Sequence, residues 1–152
     1  MTLLCSVTES VVTVHASTRF RASRAEPWSQ PVPWHDEAMA EPIPQIEPLD
    51  AAARLVGGGV LLLDVRTEEE FAAGHAPSAR LLPVHELASR VGELDASIPV
   101  IAICRSGMRS QSAAELLAAQ GFDVQNLAGG SLAWEAAGLE LIAEDGTPGR
   151  VE

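Results

Sequence analysis

From residue 45 onward, apolar and polar positions follow two alternating rhythms. Residues 49–56 carry apolar side chains at helical spacing and run into Gly57-Gly58-Gly59, which predicts a short helix with a glycine stop. Residues 60–65 are a continuous apolar run with one aspartate near its end, the pattern of a strand buried on both faces. Thr67 with Glu70 three residues later is a capping box, opening a short helix through Phe71 and Ala73. A strand at 81–84 and a helix at 85–94 follow, then a second buried strand at 100–103. The pattern continues with a helix at 110–120 closed by Gly121, a strand at 124–127, a Gly129-Gly130 turn and a helix at 132–137 closed by Gly138. Strands alternating with helices across short loops predict an α/β layer fold with a mainly parallel sheet. Ligands of such sheets bind at the carboxyl ends of the strands, the edge to which the pattern assigns Asp64, Cys104 and Gly129.

The chain before this rhythm differs. Six of the ten prolines lie at 27, 31, 33, 42, 44 and 48, interleaved with Trp28, Trp34 and scattered charge. Residues 1–44 are read as an irregular Pro-rich extension or tether, with a short strand at 11–14. The regular domain spans 45–142, and 143–152 is read as a flexible C-terminal tail. Met39 is an alternative start site, and Trp28 and Trp34 are candidate docking residues.

Composition narrows the function. The formal charge is −11 and all ten basic residues are arginines, which gives no footprint for nucleic acid or an anionic membrane. An anion would have to be bound by a local pocket set against the global field. No apolar stretch approaches the length of about 20 residues needed to span a bilayer. Cys5 and Cys104 form neither a CxxC nor a metal-ligand spacing, so no metal and no disulfide framework is expected. A reducing, cytoplasmic setting fits this cysteine usage, and no cofactor is implied.

The candidate chemistry sits at Cys104-Arg105-Ser106-Gly107-Met108-Arg109. A cysteine between a buried strand and a helix meets unpaired amide N–H groups at the positive end of that helix. Gly107 permits a turn at positive φ, so that successive N–H groups converge. Such a setting lowers a thiol pKa and forms an anion cradle. The bland alternative is a buried structural cysteine. It leaves the adjacent arginines and glycine without a purpose.

This loop resembles the active-site loop of the rhodanese family, the thiosulfate and sulfane-sulfur transferases. The likeness extends to Leu63-Asp64-Val65-Arg66, to Glu69-Glu70-Phe71 with Gly74-His75 and Pro77, and to Asn126-Leu127 with Gly129-Gly130, Trp134 and Gly138. Ala76, Ser78 and Leu82 depart from the family's usual residues, at positions concerned with packing. The resemblance implies a rhodanese-like three-layer fold, with a five-stranded parallel sheet flanked by helices. It also implies a six-residue loop sized for a persulfide; the related cell-cycle phosphatases and arsenate reductases use one residue more for a tetrahedral oxyanion. The function so implied is sulfur transfer from an anionic donor such as thiosulfate to cyanide or a thiol, through a Cys104 persulfide. Residues 105–109 would bind the donor, and a protein is a further candidate acceptor. A sulfur-relay or partner-binding module with little small-molecule turnover is the alternative, and a phosphatase or arsenate reductase a third.

Other residues have two readings each. Asp64, Gly129 and Gly130 are candidate rim residues; Asp64 also reads as a turn partner or ion pair of Arg66, and the glycines as a plain turn. His75 is either a base for Cys104 or a turn-fixing residue before Pro77. Glu68–Glu70 reads as a solvated helix start favoured by the helix dipole, and Trp134 as core or rim packing.

Overall fold

The computed structural model of the protein describes residues 41–152. The strand suggested at 11–14, together with Cys5, Trp28, Trp34 and the Met39 start, lies outside the described residues. Five strands build one sheet: β1 (Gln45–Ile46), β2 (Leu61–Asp64), β3 (Ala79–Leu81), β4 (Val100–Ile103) and β5 (Val124–Leu127). Their order is β1-β5-β4-β2-β3 and every pairing is parallel. The helices are α1 (Pro48–Gly57), α2 (Glu68–Ala73), α3 (Val84–Arg90), α4 (Met108–Ala119) and α5 (Gly130–Ala136), with a 3-10 turn at Val91–Glu93 after α3.

The strands alternate their side chains between two cores, as the period of two requires. Leu63, Val100, Ala102 and Val124 face one layer with Leu87 of α3 and Ala113, Ala114 and Leu117 of α4. Leu62, Ile101, Ile103 and Leu127 face the other, with Ala51 of α1 and Trp134 of α5. Each fully buried leucine or isoleucine stabilises the fold by roughly 1.5–3 kcal/mol. Cys104 belongs to the α4 side. Its site is the point where β4, the central strand, ends between the crossovers to either side, where such sheets open a crevice.

Four elements differ from the sequence pattern. The two-residue β1, between Pro44 and Pro48, is too short to show any period. The strand expected at 81–84 is shifted to Ala79–Leu81. Pairing-type bonds do continue, from Leu82 N–H to the Asp64 carbonyl (2.9 Å) and from Val84 N–H to the Val65 carbonyl (3.0 Å). Pro83 has no N–H to give and instead precedes the first turn of α3. Helices α4 and α5 both begin two residues earlier than the pattern suggests, because Gly107 (φ 95°) and Gly129 (φ 71°) cap them in the left-handed region.

The segment 143–152, expected as a flexible tail, is hydrogen-bonded to the domain. His75 and Ile142 exchange backbone bonds of 2.9 and 2.8 Å. Glu144 N–H then reaches the Ala72 carbonyl (3.0 Å), and Arg150 N–H the Ala73 carbonyl (3.1 Å). The crossing is backbone on backbone: a Cβ on Gly149 would lie 2.6 Å from the Gly74 Cα. Gly74 and Gly149, packed face to face, let the segment cross as a strap.

Candidate functional site

The site is built where β4 stops and α4 starts. Four consecutive apolar residues, Val100–Ile103, are buried, and the chain then turns through Cys104–Gly107 before the 12-residue helix α4. Gly107 is needed for its positive φ of 95°, while a Cβ there would make only contact-distance approaches of 3.4 Å to the Gly129 N and the Leu127 carbonyl oxygen. The turn aims amide hydrogens at the sulfur. Gly107 N–H donates to Cys104 Sγ at 3.1 Å, and Ser110 Oγ lies 3.3 Å from it.

Burial pushes the Cys104 thiol up, since the residue is only 1% exposed. The Ser110 hydroxyl and the amides of Ser110, Ser106 and Gly107 more than offset that, so the thiol is held below its ordinary value of 9.0. Hydrogen bonding, not an adjacent free cation, is what favours the thiolate.

Ser110 is the functional candidate that the sequence reading missed. It is fully buried, and its Oγ also lies 2.6 Å from Asn126 Oδ1. The Asn126 amide can point only one way, because its Nδ2 donates to Gln45 Oε1 (2.9 Å) and to the Gly107 carbonyl (3.1 Å). Ser110 therefore donates to Oδ1 while Cys104 is a thiol, and the S–H donates to Ser110 Oγ. Once the thiolate forms, the single hydroxyl proton is shared between sulfur and amide oxygen. A serine spaced one helical turn inside α4 and an asparagine on the neighbouring strand were the available signal. Neither residue is distinctive without the fold.

The loop is also supported from behind. The start of α5 binds it: Ser131 N–H and Oγ donate to the Cys104 carbonyl at 2.7 and 3.1 Å, and Leu132 N–H to the Arg105 carbonyl at 3.1 Å. Gly130 packs so closely that a Cβ would overlap the Cys104 carbonyl oxygen. Of the two candidate rim glycines, Gly130 is thus a buried wall behind the loop. Gly129 lines an open groove of about 520 Å³ with Ser106, Gly107, Met108, Gln45 and Asn126. Met108 stands 78% exposed at that groove.

Asp64 is not at the rim. It is 1% exposed and forms a buried ion pair with Arg66, at 2.8 Å from Oδ2 to Nη2 and 3.0 Å from Oδ1 to Nε. Arg66 Nη2 also donates to the Gly74 carbonyl at 2.8 Å, so the pair ties the end of β2 to the loop after α2. His75 is engaged locally: its ring stacks on Phe71 at 3.7 Å and its Nδ1 lies 2.8 Å from the Phe71 carbonyl. Trp134 is core, with its Nε1–H donated to the Glu140 carbonyl at 3.0 Å.

The arginines of the loop are already engaged. Arg109 donates to both carboxylate oxygens of Glu70, at 2.7 and 2.6 Å. Glu70 is therefore no freely solvated helix-start residue, and Arg109 holds its carboxyl down at about 2. Arg105 Nε donates to the Glu152 carbonyl at 2.9 Å. Among the described residues, no three His, Cys, Asp or Glu side chains converge as a metal site, and no helix is long and apolar enough to cross a membrane.

Residues 47–137 match the rhodanese-like domain family. A sulfurtransferase of Allochromatium vinosum is 43% identical over 88 residues, covering 57% of this chain and 82% of the relative. The thiosulfate sulfurtransferase GlpE of Pseudoalteromonas translucida is 39% identical over 84 residues, 55% of this chain and 80% of the relative. Among solved structures, a rhodanese-related protein of Thermoplasma volcanium superposes with a TM-score of 0.63 at 26% identity, over 66% of this chain and 99% of its own. The family match covers more than half of the chain and agrees with the five-stranded parallel sheet, so the chain belongs to the rhodanese-like domain family.

Proposed function

We propose that the protein is a sulfurtransferase that carries sulfane sulfur as a persulfide on Cys104. The observation that carries this reading is the sulfur itself. It lies at the N-terminal end of α4 and is bonded by the Gly107 amide and the Ser110 hydroxyl, with its pKa lowered despite burial. Likeness to proteins named sulfurtransferase and thiosulfate sulfurtransferase supports the enzyme class.

The reaction divides into two displacements. The Cys104 thiolate attacks the outer sulfur of an anionic donor such as thiosulfate. A new S–S bond forms, the donor's S–S bond breaks, and sulfite leaves with the electron pair. An acceptor nucleophile, cyanide or a thiolate, then attacks the outer sulfur of the persulfide and releases the Cys104 thiolate. No separate base is required for the first attack, because the hydrogen bonds already favour the ionised sulfur. The amides of Ser106, Gly107 and Ser110 hold the negative charge in both states. Met108 and Gly129 border the groove beside the loop, and Arg105 is the exposed loop arginine, since Arg109 is paired with Glu70.

Incubation with thiosulfate and cyanide should yield thiocyanate, and Cys104→Ser should abolish it. Mass spectrometry should find one added sulfur on Cys104 after exposure to donor alone. Equal thiocyanate formation by both proteins refutes the reading. The relay alternative is favoured by the pairing of Arg109 with Glu70, which weakens attraction for small anions. Under it, Cys104 loads with sulfur but thiocyanate turnover is negligible.

A further inference from the structure

Three arginines stand at or beside the Cys104 loop, and two of them are matched by carboxylates. Arg66 is bound by Asp64 in the buried pair, and Arg109 gives both terminal nitrogens to Glu70. Arg105 is exposed and turned toward the Glu152 carbonyl. Glu70 is not a loose counter-ion. It is the third residue of α2, and its carboxylate also accepts from the Thr67 N–H at 3.2 Å while Thr67 Oγ1 accepts from the Glu70 N–H at 3.3 Å. The capping box thus fixes the carboxylate before Arg109 meets it. The pair is part-shielded, with Glu70 19% and Arg109 38% exposed, so its charges act through less than the full dielectric of water.

We propose that Glu70 is a specificity-determining residue: by neutralising Arg109 beside Cys104, it disfavours doubly charged sulfur donors relative to singly charged donors of similar shape. The inference rests on the sulfurtransferase reading of Cys104 and adds the charge class of the donor. Thiosulfate and methanethiosulfonate isolate that variable. Each presents one outer sulfur to the Cys104 thiolate. Thiosulfate is a dianion and releases sulfite; methanethiosulfonate is a monoanion and releases methanesulfinate. In both cases one S–S bond breaks, one forms on Cys104, and the leaving group keeps the electron pair, so no oxidant or reductant enters.

Glu70→Gln is the variant of choice, because glutamine serves the same capping box and leaves α2 intact. It removes the negative charge and frees that of Arg109. In the full-length protein, KM for thiosulfate is expected to fall about three- to ten-fold, the scale of one added unit of attraction at intermediate dielectric. KM for methanethiosulfonate should fall by a clearly smaller factor, with kcat for both little changed. In an Arg109→Gln background the same Glu70 change should lose its effect on the ratio of the two KM values. A second readout needs no turnover: the rate of Cys104 alkylation by iodoacetate, an anion, relative to iodoacetamide, which is neutral, should rise several-fold in Glu70→Gln. An unchanged donor ratio with an unchanged alkylation ratio overturns the role of Glu70. Absence of sulfur transfer in the parent protein together with a raised alkylation ratio would instead overturn the sulfurtransferase reading and leave the charge effect standing.

Discussion

Replacing Ser110 by alanine tests the central electrostatic claim most directly. Ser110 is fully buried, with its Oγ 3.3 Å from Cys104 Sγ and 2.6 Å from Asn126 Oδ1. A hydrogen bond to a charged group contributes about 1.5–3 kcal/mol. Because Asn126 competes for the same proton, the low end applies, about 1.5 kcal/mol. About 1.4 kcal/mol is a factor of ten in an equilibrium, so Ser110→Ala should lower the thiolate population near neutral pH about tenfold. The pH dependence of alkylation by iodoacetamide reads this: the profile should move to higher pH in Ser110→Ala and stay in place in Ser112→Ala, an exposed serine on the same helix. Cys104 ionises more readily in the folded chain than its ordinary value implies. Its stabilising contribution is therefore fully present above the unfolded pKa and is lost as pH falls through the folded one. Ser110→Ala should flatten that rise in stability with pH. The variant also strips Asn126 Oδ1 of its donor, at a further loss of about 1–3 kcal/mol in urea unfolding. An alkylation profile that superimposes on the parent's would refute the reasoning, whatever happened to stability.

Three further outcomes are expected. The Glu70–Arg109 pair should give an acid-labile share of stability: Glu70 has an ordinary value of 4.5 and sits at about 2 when folded. The share is complete above 4.5 and vanishes through about 2, on the order of 1 kcal/mol after solvent screening; urea titrations at successive pH values should show Glu70→Gln lacking it. Gly130→Ala should destabilise by several kcal/mol and slow sulfur loading of Cys104, since the new methyl would also sit 2.7 Å from the Arg105 carbonyl carbon at a φ of 61°; thermal melting and mass spectrometry check both halves. Asp64→Asn should cost about 3–5 kcal/mol by leaving Arg66, whose Nη1 already has no partner, buried without its counter-charge; a small shift in the urea midpoint would contradict this.

Much of the fold was readable because β2 and β4 are largely apolar runs, because β5 is set off by Gly121 before it and Gly129-Gly130 after it, and because the Thr67–Glu70 box marks a helix start on its own. What escaped was of two kinds. One is brevity: β1 and β3 have two and three residues, too few to show a period. The other is any feature that exists only after the sheet has formed. Cys104 and Gly107 could be singled out because local chain geometry gives them meaning. Ser110 and Gln45 could not, and Asn126, though part of the motif pattern, had no role assigned to it, since the three lie far apart along the chain and meet only through the pairing of β1 with β5 beside β4. For the same reason Glu70 looked like one more acidic residue at a helix start, until Arg109, 39 positions later, was seen to face it. Asp64 illustrates the converse. Its position at a strand end made it a candidate rim residue, but the ion pair with Arg66, also read from their spacing, is the arrangement present.

The crossing of Gly149 over Gly74 bears on where the folding unit stops. The matched family region ends at residue 137, yet among the described residues the backbone partners of the Ala72 and Ala73 carbonyls and of both backbone groups of His75 lie at 142–150. A recombinant fragment trimmed at 137 would leave those groups to solvent and unseat the neighbouring Gly74 carbonyl on which Arg66 depends. A working expression boundary for this protein therefore lies beyond Arg150.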